Sequence, residues 1–175
     1  LSGTENTSGK GVAVTGVELT PENSGSIYNT LSLDVDQCNI VVLHGQESEY
    51  SARDKAEIIH LTALKNKGID YLALGHIHSY KKERLDARGV YCYPGCLEGR
   101  GFDECGEHGF VMLDIDELTG TIDSTFIPFA SRKLYTIPVD ITGCESPTEI
   151  MERMRAETAG KGYPEKSLIK YELVG

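Results

Sequence analysis

The clearest candidates for chemistry are two histidines that follow an apolar run. Residues 69–78 read Ile-Asp-Tyr-Leu-Ala-Leu-Gly-His-Ile-His. The run predicts a buried strand, and Gly75 permits a sharp turn where a side chain would collide. Because His76 and His78 are two positions apart, an extended backbone would direct both imidazoles to one side. The alternative is a histidine that only ends a strand, but Gly-His-x-His favours a metal site.

A second apolar strand upstream ends in the same way. Residues 39–45 read Asn-Ile-Val-Val-Leu-His-Gly, so His44 closes a β-branched run. In open α/β sheets, functional groups gather outside the carboxyl ends of parallel strands. Two such strands would bring His44 towards His76 and His78. A histidine at a strand end is common, so His44 becomes informative only as part of this cluster.

The segment between these two runs predicts the helix of a βαβ unit. Ser51 and Asp54 fit an N-terminal capping box, and apolar residues continue at helical spacing as far as Ala63. Gly68 suits a left-handed helix end. A connection of this length predicts parallel strands joined by a right-handed crossover. His60 falls inside the predicted helix and is interpreted as structural.

The remaining sequence predicts a β-rich region and then a smaller unit. Ser146, Pro147 and Glu149 form a strong helix start, with a cap, a proline at the first position and a glutamate at the third. We predict a first domain over residues 1–132 and a second over 133–175. The further predicted strands cover residues 90–93, 110–115, 121–129, 134–139 and 167–174, and the predicted helix covers 146–160.

These motifs resemble the calcineurin-like metallophosphoesterases, and among them the bacterial SbcD-like DNA repair exonucleases. The resemblance covers roughly residues 39–132, from the strand that ends in His44 through Gly-His-x-His, Tyr-Pro-Gly at 93–95 and Phe-Asp-Glu at 102–104. It implies an α/β fold, a metallophosphoesterase-type β-sandwich flanked by helices. Only the second half of that sandwich would be present, followed by the start of an α+β capping domain.

The resemblance also implies a two-metal hydrolase site, usually with manganese. His44 and His76 would hold one divalent ion and His78 the other, while Arg100 and His108 would lie near the substrate. Two such ions can clamp a phosphodiester and stabilise its leaving oxygen.

The 175 residues depart from this family in their first half. They contain no Asp-x-His, Gly-Asp or Gly-Asn-His, so the family's catalytic residues would lie upstream of Leu1. Three imidazoles with no bridging carboxylate suit two hard cations poorly. We therefore expect these residues alone to be inactive. They would belong to a longer protein, act beside a separate polypeptide, or have lost activity.

Composition limits the classes of partner. The chain has 17 basic and 27 acidic residues, a net charge of −10, which argues against a large sequence-independent DNA footprint. The basic run 81–84 with Arg88 either forms an exposed hairpin or directs a phosphate backbone towards the metal site.

Three cysteines, Cys92, Cys96 and Cys105, leave a zinc cluster open, although Cys92 is better interpreted as packing in a strand. We expect a cytoplasmic protein with no membrane partner.

The resemblance therefore implies a manganese-dependent DNA repair exonuclease. DNA and, by resemblance alone, an SbcC-like ATPase subunit are the expected partners, and a homodimer is compatible with the sequence. One alternative is a phosphodiesterase or phosphatase for a small substrate. Another is a non-catalytic DNA-binding scaffold that has lost half of its metal ligands.

Overall fold

Strands dominate the part of the chain that the structure describes, and helices are few. The computed structural model describes residues 9–47 and 58–175. In chain order the elements are β1 (Val12–Val17), α1 (Ile27–Thr30), β2 (Cys38–His44), β3 (Gln46–Glu47), β4 (Ile58–Ile59), α2 (Leu61–Leu64), β5 (Tyr71–Gly75), β6 (Lys81–Arg84), β7 (Val90–Tyr93), β8 (Gly109–Ile115), β9 (Ile122–Pro128), β10 (Leu134–Asp140), α3 (Pro147–Thr158) and β11 (Leu168–Val174).

The main sheet carries the strands that were predicted to end in histidine. Its order is β1-β2-β5-β7-β6, and every neighbouring pair is parallel except β6 with β7. Most of β2 and β5 is buried, as expected for inner parallel strands whose two faces are both covered. The predicted strands β2, β5 and β7 and the parallel pairing of β2 with β5 are confirmed. The predictions overlooked β1.

Apolar side chains cover both faces of this sheet. On one face they form the larger core, to which Ile59 and Leu64 contribute from outside the sheet. On the other face, side chains of the β8–β9 pair pack against Ile40, Tyr71 and Cys92. The larger core consists of Tyr28, Val41, Leu43, Ile59, Leu64, Ile69, Leu72, Leu74, Leu85, Tyr91 and Tyr93. The structure is therefore mixed α/β, with apolar layers on both sides of one sheet.

The connection between β2 and β5 differs from the predicted helix. The proposed capping box at Ser51 and Asp54 lies outside the described residues. Ile59 belongs to β4, which pairs in parallel with β3, and between positions 58 and 70 the described helix is the single turn of α2. The prediction that His60 lies inside a helix was therefore wrong: His60 precedes α2 and is exposed. Two adjacent β-branched residues favour the strand, and Ile59 is completely buried there.

The amino-terminal edge of the main sheet is fastened by Arg88. Its guanidinium donates to both carboxylate oxygens of Asp70 over 2.8 Å each. It also donates to the backbone oxygens of Val35 and Gln37. Asp70 in turn accepts from the backbone nitrogen of Asn39 over 2.8 Å. A two-pronged guanidinium–carboxylate pair is among the strongest polar contacts in proteins, and this one joins the segments that enter β2, β5 and β7.

The contact pattern divides the chain into two units. Residues up to Cys96 and Phe110–Ile127 form the first unit, and Leu97–Gly109 with Pro128–Gly175 form the second. The predicted boundary at 132/133 stays a prediction. In the second unit β10 and β11 pair in parallel and α3 lies between them in sequence, which confirms the predicted strand, helix and strand.

The start of α3 forms as its sequence predicts. The hydroxyl of Ser146 accepts from the backbone nitrogen of Glu149 over 3.3 Å, and Pro147 occupies the first turn. The Glu149 carboxylate accepts a hydrogen bond from the backbone nitrogen of Glu145 over 2.9 Å. Within residues 9–47 and 58–175, none of the helices has the length and apolar character that crossing a membrane requires.

Candidate metal centre

His44 and His76 meet at the carboxyl edge of the main sheet. Their ring centroids are 5.5 Å apart and the rings are nearly perpendicular, at 86°. His44 is the last residue of β2 and lies opposite Gly75 in the strand register, and the Gly45 nitrogen donates to the Gly75 oxygen over 3.1 Å. Two imidazoles that share one ion at ~2.1 Å have ring centroids ~5 Å apart. The separation of the pair is therefore close to that of two ligands of one divalent ion, and it is also the separation of an edge-to-face ring contact.

Gly75 makes room for the His44 ring. A Cβ atom at this position would lie 2.8 Å from Nδ1 of His44, much closer than an ordinary contact. This confirms the expectation that a side chain at Gly75 would collide. The unusual backbone falls one residue later, since His76 has a φ of 109°. Non-glycine residues rarely adopt positive φ, and such strain concentrates at functional sites.

His78 occupies a different position from the other two histidines. Among the described residues, His78 does not join His44 and His76 in one cluster of ligand atoms. A ring nitrogen of His78 instead lies within 4.8 Å of Sγ of Cys96, and the Cys96 nitrogen donates to the His78 oxygen over 3.1 Å. The positive φ of His76 breaks the extended geometry on which the same-side prediction depended. An imidazole and a thiol in such proximity could hold a metal ion together with further ligands.

The Tyr-Pro-Gly motif brings Cys96 to His78. Gly95 has a φ of +81°, and a Cβ atom there would lie 2.8 Å from the His78 oxygen. Only glycine combines this conformation with so close a backbone approach. Residue spacing left Cys96 open as a member of a three-cysteine cluster, whereas the structure places it beside His78. Cys92, by contrast, is completely buried in β7, as interpreted.

An open cleft of about 640 Å³ borders His44. It lies where β1, β2 and β5 end, which is the edge at which α/β sheets commonly bind ligands. Its lining is apolar apart from one carboxylate and one imidazole: Gly16, Val17, Glu18, Leu19, Val42, Leu43, His44 and Gly75. His44 is exposed at this edge, so its ring is accessible from the cleft.

The basic run after Gly-His-x-His forms a hairpin. β6 pairs antiparallel with β7, and the Asp86 carboxylate accepts from the backbone nitrogens of Arg88 and Gly89 in the turn. Each cation of the run bonds within the protein. Lys81 pairs with Glu47, and Lys82 bonds to Ser124. Arg84 donates to the backbone oxygens of Asp86 and Ala87, and Arg88 pairs with Asp70. These contacts support the interpretation of the run as a hairpin over the alternative that it directs a phosphate backbone towards the metal site.

The two predicted substrate residues lie in the second unit. The Arg100 side chain is 69% exposed, with one guanidinium nitrogen 3.3 Å from the Glu104 carboxylate. His108 is only 5% exposed, and its Nε2 lies 2.7 Å from the backbone oxygen of Glu104. Glu104 also accepts from the Arg100 backbone nitrogen over 2.8 Å. His108 therefore stabilises this loop from inside, while Arg100 is accessible to an anion.

Comparison of the sequence with known protein families and with curated proteins found no match.

Proposed function

We propose that this protein takes part in metal-dependent hydrolysis of phosphodiester bonds. The observation that supports this most strongly is the meeting of His44 and His76 at the carboxyl edge of parallel strands, beside an open cleft. Two features accompany the pair. Gly75 leaves room for the His44 ring, which any side chain at this position would displace, and the backbone of His76 is strained. An imidazole pair held at such a cost of backbone conformation is better explained by a ligand than by packing.

In this proposal His44 and His76 would hold one divalent ion, and His78 would hold a second with Cys96 beside it. The two ions would neutralise the phosphate and stabilise the leaving oxygen. The resemblance implies manganese, whereas imidazole and thiol ligands suit zinc and other softer ions better than manganese. Protons compete with the metal for imidazole, so we expect metal affinity to weaken as the pH falls.

The resemblance to SbcD-like exonucleases makes a DNA end the first candidate substrate, with an SbcC-like ATPase subunit as partner. One observation favours a small phosphodiester as the second candidate. The cations of the β6–β7 hairpin are paired within the protein, as the contacts of Lys81 and Arg88 illustrate. A polyanionic strand would have to compete with these partners for each cation, whereas a single phosphodiester needs only the metal site.

The decisive experiment compares His44→Ala and His78→Ala with His60→Ala in the protein as its gene encodes it. His60 is the matched control because it is an exposed histidine of the same unit, whose ring lies 5.9 Å from that of Tyr28 and not at the sheet edge. Hydrolysis of a chromogenic phosphodiester and of single- and double-stranded DNA ends is measured with manganese and with zinc.

We expect both ligand variants to lose at least ~100-fold in kcat/KM and His60→Ala to keep the parental value. Loss on DNA ends as well as on the small ester would support the nuclease, and activity on the small ester alone would support the second candidate. Parental turnover in both ligand variants would refute the metal assignment. Metal binding with no hydrolysis of any of these substrates would favour the non-catalytic scaffold.

A further inference from the structure

An ion pair with one buried partner connects the segment that follows His44 to the segment that follows His78. Glu47 lies three residues after His44 and is only 7% exposed. Lys81 begins β6, three residues after His78, and its ammonium group pairs with Oε1 of Glu47. The same ammonium group lies 3.4 Å from Glu83 and 5.7 Å from the centre of the Tyr91 ring. This ion pair therefore spans two chain segments that each leave a histidine.

The carboxylate of this ion pair is the partner that is costly to bury. Glu47 loses most of its hydration, whereas the Lys81 side chain is 33% exposed and keeps part of its own. The second oxygen of Glu47, Oε2, is buried and has no donor among the described residues. The hydrogen bond from Lys81 to Glu47 raises the pKa of the ammonium group, so Lys81 stays charged at neutral pH.

A tyrosine holds the same segment from a third strand. The hydroxyl of Tyr93, a fully buried residue of β7, donates to the Gly45 oxygen over 2.9 Å. Burial raises the pKa of Tyr93 to about 12, so the hydroxyl keeps the proton that it donates. The backbone from Gly45 to Glu47 is therefore fixed by side chains from β6 and β7 immediately after His44.

We infer that Glu47, Lys81 and Tyr93 are positioning residues for the His44–His76 pair. They fix the backbone that leaves β2 relative to the backbone that follows His76 and His78, and so keep both imidazoles at the spacing one ion requires. Residues that orient ligands without touching the metal commonly control metal affinity. This inference rests on the proposed function, because it assumes that the histidine pair binds a metal.

The test is a titration of Zn²⁺ by calorimetry into the protein as its gene encodes it. The variants are Lys81→Met, Lys81→Arg, Glu47→Gln and Tyr93→Phe. Lys82→Met is the matched control, since Lys82 is the next residue of the same strand and bonds to Ser124. Thermal unfolding of the metal-free variants is recorded separately, so that lost stability is not mistaken for lost affinity.

We expect Lys81→Met, Glu47→Gln and Tyr93→Phe each to bind Zn²⁺ about 10-fold more weakly than the parent. Lys82→Met should bind as the parent does, and Lys81→Arg should recover part of the affinity because it restores a cation. A purely structural role would lower the unfolding temperature and leave the dissociation constant of the folded protein unchanged. Tyr93→Phe changes the volume least, so it decides the matter if the charge variants fail to fold.

Two reference variants separate failure of this inference from failure of the proposed function. If His44→Ala and His76→Ala each lose one bound Zn²⁺ per protein while Tyr93→Phe and the folded Lys81→Met and Glu47→Gln variants keep the parental affinity for that ion, the positioning role is refuted and the metal site stands. If His44→Ala and His76→Ala themselves bind Zn²⁺ as the parent does, the metal site is refuted and the positioning role with it.

Discussion

Gly75→Ala should displace the His44 imidazole and weaken metal binding while leaving the fold intact. The added Cβ atom would lie 2.8 Å from Nδ1 of His44, so the ring has to retreat by about 0.6 Å to reach the 3.4 Å of an ordinary contact. Metal–ligand distances tolerate only ~0.2 Å of error. We therefore expect Zn²⁺ affinity to fall by at least ~10-fold, in line with the strong dependence of such sites on ligand placement.

The stability of this variant should change little. His44 is exposed and can turn towards the cleft, and replacing glycine by alanine stabilises a compatible backbone by ~0.4–1 kcal/mol through the unfolded state. Gly16→Ala is the matched control: Gly16 lines the same cleft, and a Cβ atom there would meet nothing within 4 Å. Urea unfolding gives the stability of both variants, and calorimetry with Zn²⁺ gives their affinities.

The result that would refute this reasoning is a Gly75→Ala protein that binds Zn²⁺ as tightly as Gly16→Ala. In that case the position of the His44 ring would not matter to the ion. A Gly75→Ala protein that unfolds at much lower urea than the control would instead show that the strand end cannot adapt around the methyl group.

Three further predictions concern backbone strain, metal proximity and pH. Because His76 has a φ of 109°, His76→Gly should be ~1 kcal/mol more stable to urea than His76→Ala, and equal stabilities would contradict the strain. Zn²⁺ should slow alkylation of Cys96, followed by peptide mass mapping, in the parent but not in His78→Ala; equal protection in both would place the ion elsewhere. Burial opposes ionisation of Asp86, but hydrogen bonds from backbone nitrogens outweigh it and lower the pKa of its carboxyl group. The stability that Asp86 contributes is therefore present above its unfolded pKa of ~3.9 and is lost as the pH falls through the lower folded value. Asp86→Asn should flatten the acid limb of urea unfolding measured against pH, and an unchanged limb would count against this.

The inner strands of the main sheet could be predicted because their residues are buried on both faces. β2 and β5 read as continuous apolar runs, a pattern that distinguishes them from surface segments. β1 was overlooked because its burial alternates and Val12 and Val14 are exposed. The segment near Ile59 misled the prediction because a short apolar run such as Ile58–Ile59 cannot be assigned to a helix or a strand by periodicity alone.

The candidate site could be predicted only where it depends on strand ends. His44 and His76 were brought together by the parallel register, which follows from the two apolar runs. The contact of Cys96 with His78 depends on the positive φ of Gly95, and the pairing of Glu47 with Lys81 depends on how β3 lies beside β6. Such details arise from tertiary packing, which residue spacing alone does not encode.

The Asp70–Arg88 fastening has a consequence for protein engineering. It secures the entrances of three strands at the amino-terminal edge, far along each strand from the carboxyl ends that carry the histidines. Because the sheet is anchored at one edge and displays its candidate ligands at the other, the ligand set can be exchanged without disturbing the anchor. Positions 44 and 76 are therefore the places at which we would graft metal-binding side chains in such an experiment.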